Sequence, residues 1–420
     1  GRTLNGNAST CIVYRRHSSK SYRASRAAPI LGTIAGLVNP ASGGENLWNG
    51  RLNKFMKRIR FFDIAKGMAI LAVILGHSAI EANLFMPHRT AQIIVAICFS
   101  FHMPLFFILS GYFMHPERKF RWAKESKQLL CTYAVTALCV LIGVTCMATL
   151  NHESRVLALR QWGMAALYGS GDVSDLTLWP VDFRIGAIWF LLALFWARLL
   201  LHFFAKLPYT FIWVIACFLV GYGSSRYVWL PWSIQAGMCA VAFLYLGYLA
   251  KKYDVLDFVR RVPYIWIIAF LIWIIDIVFF DGMSMAMNSY GPHPILAVVG
   301  SIAGTLCVIG ISQLFDKVAV LGDTFSRIGQ ASLAILCAHL IEDDVLLQSW
   351  QSYLDMLRTL FPQVPLVLLS FIVRLPIDFA GAALLHYVPK INEWFYPQLA
   401  KQHQLNRAGI VHKRAFPLEK

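Results

Sequence analysis

Charge is scarce in this sequence. Asp, Glu, Lys and Arg make up 14% of it, where a soluble globular protein carries about 25%, and apolar residues reach 58%. That shortage excludes an ordinary water-soluble domain. Acids are the scarcer sign, 22 against 38 Lys and Arg, so the net charge is +16. In a soluble domain such an excess would suggest a nucleic-acid partner. Here the basic residues fall mostly between apolar runs, the pattern of membrane-protein loops, and no nucleic-acid face is expected. The nine cysteines lack paired or metal-like spacing. Most, from Cys98 to Cys337, lie in or beside apolar runs and read as free core thiols. No metal is expected. No internal repeat is visible, which speaks against an inverted-repeat transporter.

What the sequence does have is length in its apolar runs. Stretches of roughly 20 residues, enough to cross a bilayer, recur ten times, at about 62–82, 92–114, 128–150, 185–204, 209–226, 231–250, 262–280, 294–315, 328–348 and 364–388. They are too long and too uniformly apolar for barrel strands, so the expected fold is all-α and polytopic, with about ten transmembrane helices. If the chain before the first run is cytoplasmic, sixteen Lys and Arg of the connecting loops fall on that side and six on the other. That asymmetry sets the orientation and, with ten spans, puts both termini in the cytoplasm of a cell membrane. Residues 1–55 stand apart: "YRRHSSKSYRASRAAP" is rich in Arg and Ser, and no acid precedes Glu45. They read as a disordered extension, an upstream read-through before Met56, or a targeting arm. The expected organisation is a membrane domain over 56–392 and a basic cytoplasmic tail over 393–420.

The first run, "RFFDIAKGMAILAVILGHS", carries Asp63, Lys66 and His77. Each is costly in hydrocarbon unless it faces a partner or a cavity. Lys66 and His77 are eleven apart, within about 20° of three full helical turns and roughly 16 Å along the axis. Asp63 lies three before Lys66 and Glu81 four after His77, so the four line one stripe. A single polar residue of this kind is as readily a packed hydrogen-bonding group; four in a stripe favour a cavity or pathway.

"FFDIAKGMAILAVILGHS", "FSFHMPLFFILSGYFM" at 99–114, "GAIWFLLALFWA" at 186–197 and "IGQASLAILCAHL" at 328–340 resemble, in order and over nearly the whole of 56–390, the acyltransferase-3 family of integral membrane O-acyltransferases. The chain is most similar to its fucose 4-O-acetylase-like branch. The resemblance implies a ten-helix core that transfers an acyl group, usually acetyl from cytoplasmic acetyl-CoA, to a sugar hydroxyl of an envelope or exported glycan. The family motif of an Arg, ten residues and an essential His falls on Lys66 and His77. Lys keeps the charge but lacks the guanidinium fork. The family's Arg-x-x-Arg pair falls on Arg118 and Arg121 in "HPERKFRW", although that loop's charge also serves topology.

The 16 Å separation keeps Lys66 and His77 from touching one thioester carbonyl. Lys66, with Arg118 and Arg121, suits the phosphates of coenzyme A, and His77 suits a general base toward a sugar hydroxyl, with an acetyl-histidine as the other route. His339, followed at helical spacing by Glu342 and Asp343, is a second catalytic candidate, because a carboxylate can fix an imidazole's tautomer. His102 reads equally as a packing histidine or a substrate contact. In segment 151–184, Trp162, Tyr168 and Trp179 with Asp172, Asp175 and Asp182 suit a sugar, or else form an interfacial aromatic belt. Trp179 and Asp182 are the acceptor candidates. Arg374 and Asp378, spaced i, i+4, suggest an internal ion pair, and Ser110 with Gly111 a close helix approach. The expected partners are acetyl-CoA as donor substrate, a carbohydrate or lipid-linked glycan as acceptor, and membrane lipid. A secondary transporter or glycan flippase using the intramembrane His and acidic residues is the competing reading.

Overall fold

Each of the ten apolar runs is helical, as a backbone in hydrocarbon must be if its N–H and C=O groups are to be satisfied within the segment. The computed structural model describes residues 59–346, 349–388 and 391–396, and these form helices joined by turns and by two longer segments, 169–188 and 279–293, with no strand among them beyond isolated bridges. The expected extension over 1–55 and nearly all of the tail lie outside the described residues.

In chain order the helices are α1 (Arg60–Phe85), α2 (Arg89–Tyr112), α3 (Trp122–Leu150, with a π-helical turn at Ser126–Leu130), α4 (Arg155–Tyr168), α5 (Trp189–Phe204), α6 (Thr210–Ser224), α7 (Ile234–Lys252), α8 (Val255–Arg261), α9 (Tyr264–Val278), α10 (Pro294–Phe315), α11 (Ala319–Gln330), α12 (Ser332–Val345), α13 (Trp350–Leu360), α14 (Leu366–Tyr387) and α15 (Asn392–Phe395). Among the described residues, seven spans are long and apolar enough to cross a membrane. Counting α8 with α9 and α11 with α12 as bent spans raises this to nine. The chain is therefore a multi-pass membrane protein, but the expected ten is not reached by that measure. The shortfall is α6, whose 15 residues extend only about 22 Å. The ninth expected run also departs from a simple span: it is two helices meeting at 64° around Ala331.

Small residues set the closest approaches. A Cβ on Gly111 of α2 would collide with the carbonyl of Leu244, and one on Gly247 of α7 with the carbonyl of Ile108. The two glycines thus let α2 and α7 touch backbone to backbone, as small residues do where helices meet in lipid. Gly67 of α1 and Gly329 of α11 do the same against Phe325 and Asp63. Gly300 of α10 makes room for Asp276 of α9. Ser110 has a different use: it accepts hydrogen bonds from Arg198 of α5, which also pairs with Glu125.

Candidate active site

α1 presents His77 and Glu81 on one face, four residues apart, and both open into a cavity of about 300 Å³. α2 adds Phe99, His102 and Met103, and the loops at that end add Asp172, Arg184 and Met283–Ala286. The rings of His77 and Phe99 stack at 6.0 Å. His102 donates from Nδ1 to the carbonyl of Cys98 at 2.6 Å, which leaves Nε2 as the acceptor. Arg184 lies outside the spans. Burial lowers its pKa, but Asp343 and Asp344 more than offset this and hold it above its ordinary value.

Behind His77 stands a buried polar layer contributed by α12 and α14. Asp343 is its centre. Asp343 Oδ2 faces His77 Nδ1 at 3.8 Å and accepts from Arg184 Nη2 at 3.1 Å, while Oδ1 accepts from Arg374 Nη2 at 3.0 Å. The contact with His77 is longer than a hydrogen bond, as catalytic contacts often are before substrate binds. Arg374 also donates to Glu81 at 2.6 Å, lies 3.5 Å from Glu342 and stacks on Trp350 at 4.2 Å. The expected Arg374–Asp378 ion pair is not formed: Asp378 turns instead to His339, whose Nδ1 is 3.0 Å away. Rotating each to a different helix satisfies more buried charge than pairing them on α14 would.

His339 is fully buried with its ring 5.2 Å from that of His77, and Glu342 lies 3.6 Å from it. Neither lines the cavity. The carboxylate that faces His77 is Asp343, while Glu342, expected to serve His339, stands beside that imidazole. Position 343 follows His339 by four, so both point from one face of α12, but only tertiary packing selects between 342 and 343. Arg184, too, carries no sequence signal beyond that of a charge in a loop.

The other candidates disperse. Trp179 packs its edge on Tyr168, and Asp182 accepts from Gln161 at 3.1 Å. Neither lines the cavity, whereas Asp172 of the same segment does. Lys66 lies toward the opposite end of α1, 3.6 Å from Asp63 and 5.7 Å from the Phe113 ring. Lys251 of α7 stands 5.3 Å from the adjoining Tyr112 ring, giving that end a basic and aromatic patch the sequence did not group. Arg118 and Arg121 are exposed on the turn that follows α2.

The acyltransferase-3 family model, described as an acyltransferase domain, matches residues 59–379, and the chain belongs to this family. Neither the curated proteins nor the solved structures contain a match.

Proposed function

We propose that this membrane acyltransferase moves an acetyl group from cytoplasmic acetyl-CoA to a sugar hydroxyl of a cell-surface or exported glycan, in the manner of the fucose 4-O-acetylase-like branch. The observation that carries the reading is His77, an imidazole opening into a cavity with a carboxylate, Asp343, behind it. In the proposed reaction His77 takes the proton of the sugar hydroxyl, and the oxygen attacks the thioester carbonyl. The carbon–sulfur bond then breaks, and the imidazolium returns the proton to the departing thiolate. Asp343 favours the imidazolium while it exists. Arg184, on the cavity wall, is near enough to meet negative charge developing on the carbonyl oxygen. His102 Nε2 is a natural acceptor for a second sugar hydroxyl.

His339 and Glu342 act in this account as supports behind His77, since neither reaches the cavity. Trp179 and Asp182 shape the outer segment without touching the cavity. Lys66, with Arg118 and Arg121, takes the phosphates of coenzyme A, three turns below His77 on α1. The residue choice matters there, because an ammonium binds phosphate as a point charge rather than as a fork. Labelled acetyl-CoA supplied to membranes containing the protein tests the reading. Label recovered on a glycan with release of coenzyme A supports it. Movement of a substrate across the membrane without that release would instead make the protein a transporter.

A further inference from the structure

His339, Glu342 and Asp378 form a buried constellation to which the transfer chemistry assigns no bond-making role. Their side chains are 0%, 3% and 0% exposed. His339 Nδ1 is 3.0 Å from Asp378 Oδ2 and 3.6 Å from Glu342 Oε2, and one donor atom from each residue falls within 4.8 Å of the others. A tetrahedral zinc ion with ligands at about 2.0–2.1 Å has ligand–ligand edges of about 3.3 Å, so the two measured separations bracket that edge.

Unmet bonding points the same way. Both oxygens of Glu342 and Oδ1 of Asp378 are buried and have no hydrogen-bond partner among the described residues. An ion-pair contact serves one side of Glu342 only: Arg374 approaches Oε1, leaving Oε2 directed at His339. Charge is also out of balance. Glu81, Glu342, Asp343, Asp344 and Asp378 stand with two guanidiniums, Arg184 and Arg374, and both of these are engaged by Asp343. A divalent cation would offset two of the three remaining charges. Carboxylate that large a distance from water is costly unless it is paired or coordinates a metal.

We infer that His339, Glu342 and Asp378 bind a divalent transition cation of the zinc type, a buried ion with three protein donors that fixes α12 against α14 behind His77. One imidazole and two carboxylates are a donor set such ions accept. Arg374 on the outer oxygen of Glu342 is the kind of second partner that orients a ligating carboxylate. The sequence shows only part of the site, His339 and Glu342 at i, i+3 on one helix, because Asp378 comes from another.

The test is metal content of the full-length protein purified in detergent, measured by mass spectrometry both as isolated and after incubation with ZnCl2 and desalting. About one ion per chain is expected in at least one preparation. It should fall at least tenfold in the double variant Glu342→Gln, Asp378→Asn, and stay at the parental level in Asp344→Asn, which removes a neighbouring buried acid outside the constellation. Less than a tenth of an ion per chain in both parental preparations would overturn the site. So would an ion that the double variant keeps. Should the double variant fail to fold, zinc K-edge absorption on the parent decides. A nitrogen and oxygen shell at about 2.0–2.1 Å is expected, and a sulfur shell at about 2.3 Å would place the ion on cysteine and overturn the assignment.

Discussion

His77 meets Asp343 on one side and the cavity on the other, so substitutions at the two residues should separate chemistry from orientation. His77→Ala removes the base, and transfer should fall by about 10²–10⁴ while the protein remains inserted. Asp343→Asn keeps size but loses the charge that favours imidazolium. It also leaves Arg184 and Arg374 short of a counter-charge, so both a loss of about tenfold to a hundredfold in rate and a lowered melting temperature are expected. Kinetics and thermal unfolding of the same preparation check this; an active and fully stable Asp343→Asn would remove Asp343 from the account. At the other end of α1, Lys66→Ala should weaken the apparent affinity for acetyl-CoA, and Lys66→Arg should retain or improve it. An unchanged donor dependence in the Ala variant would refute the phosphate role. The place of His77 beside a cavity was legible in the sequence, because a charged stripe in an apolar helix has few explanations. Its carboxylate was not. Glu342 and Asp343 are adjacent, and which of them turns to His77 depends on how α12 packs against α1.

Helices here are held apart or together by single glycines. Gly111 and Gly247 let α2 and α7 meet at the backbone, so Gly111→Val should cost about 3 kcal/mol or more by overpacking against the Leu244 carbonyl. Gly163 of α4 has open space where a Cβ would go, and Gly163→Ala should be neutral or stabilising by about 0.4–1 kcal/mol. Thermal unfolding in detergent compares the two. Equal melting temperatures would mean that the α2–α7 approach does not set stability. At this scale the sequence was most informative: a run of apolar residues in lipid has helix as its main option, and the described residues of every expected run are helical, the ninth across a bend. The bends were less legible. That between α8 and α9 occurs at Pro263, where a break could be anticipated. The bend at Ala331 has no such marker and follows from α11 lying against α1 through Gly329.

The whole molecule turns on how many times it crosses. Seven or nine spans place the ends of the chain on opposite faces, and ten place them on one. The count reaches ten only if both bent pairs cross and the 15-residue α6 crosses with them. The sixteen-to-six distribution of loop Lys and Arg favours ten. A reporter fused after Lys420 should therefore be active only inside the cell, and activity only outside would exclude the ten-span topology. In the proposed reaction, that topology would bring a cytoplasmic donor toward His77 from the Lys66 end while an acceptor enters from the other. Both halves are tested together in inverted membrane vesicles given labelled acetyl-CoA on their outward cytoplasmic face. The parental protein should place label on the glycan. His77→Gln, inserted at the same level, keeps size and one acceptor but cannot cycle a proton near neutral pH, and should lower the rate by about a hundredfold or more. A His77→Gln protein that still transfers at more than about a tenth of the parental rate would contradict the account.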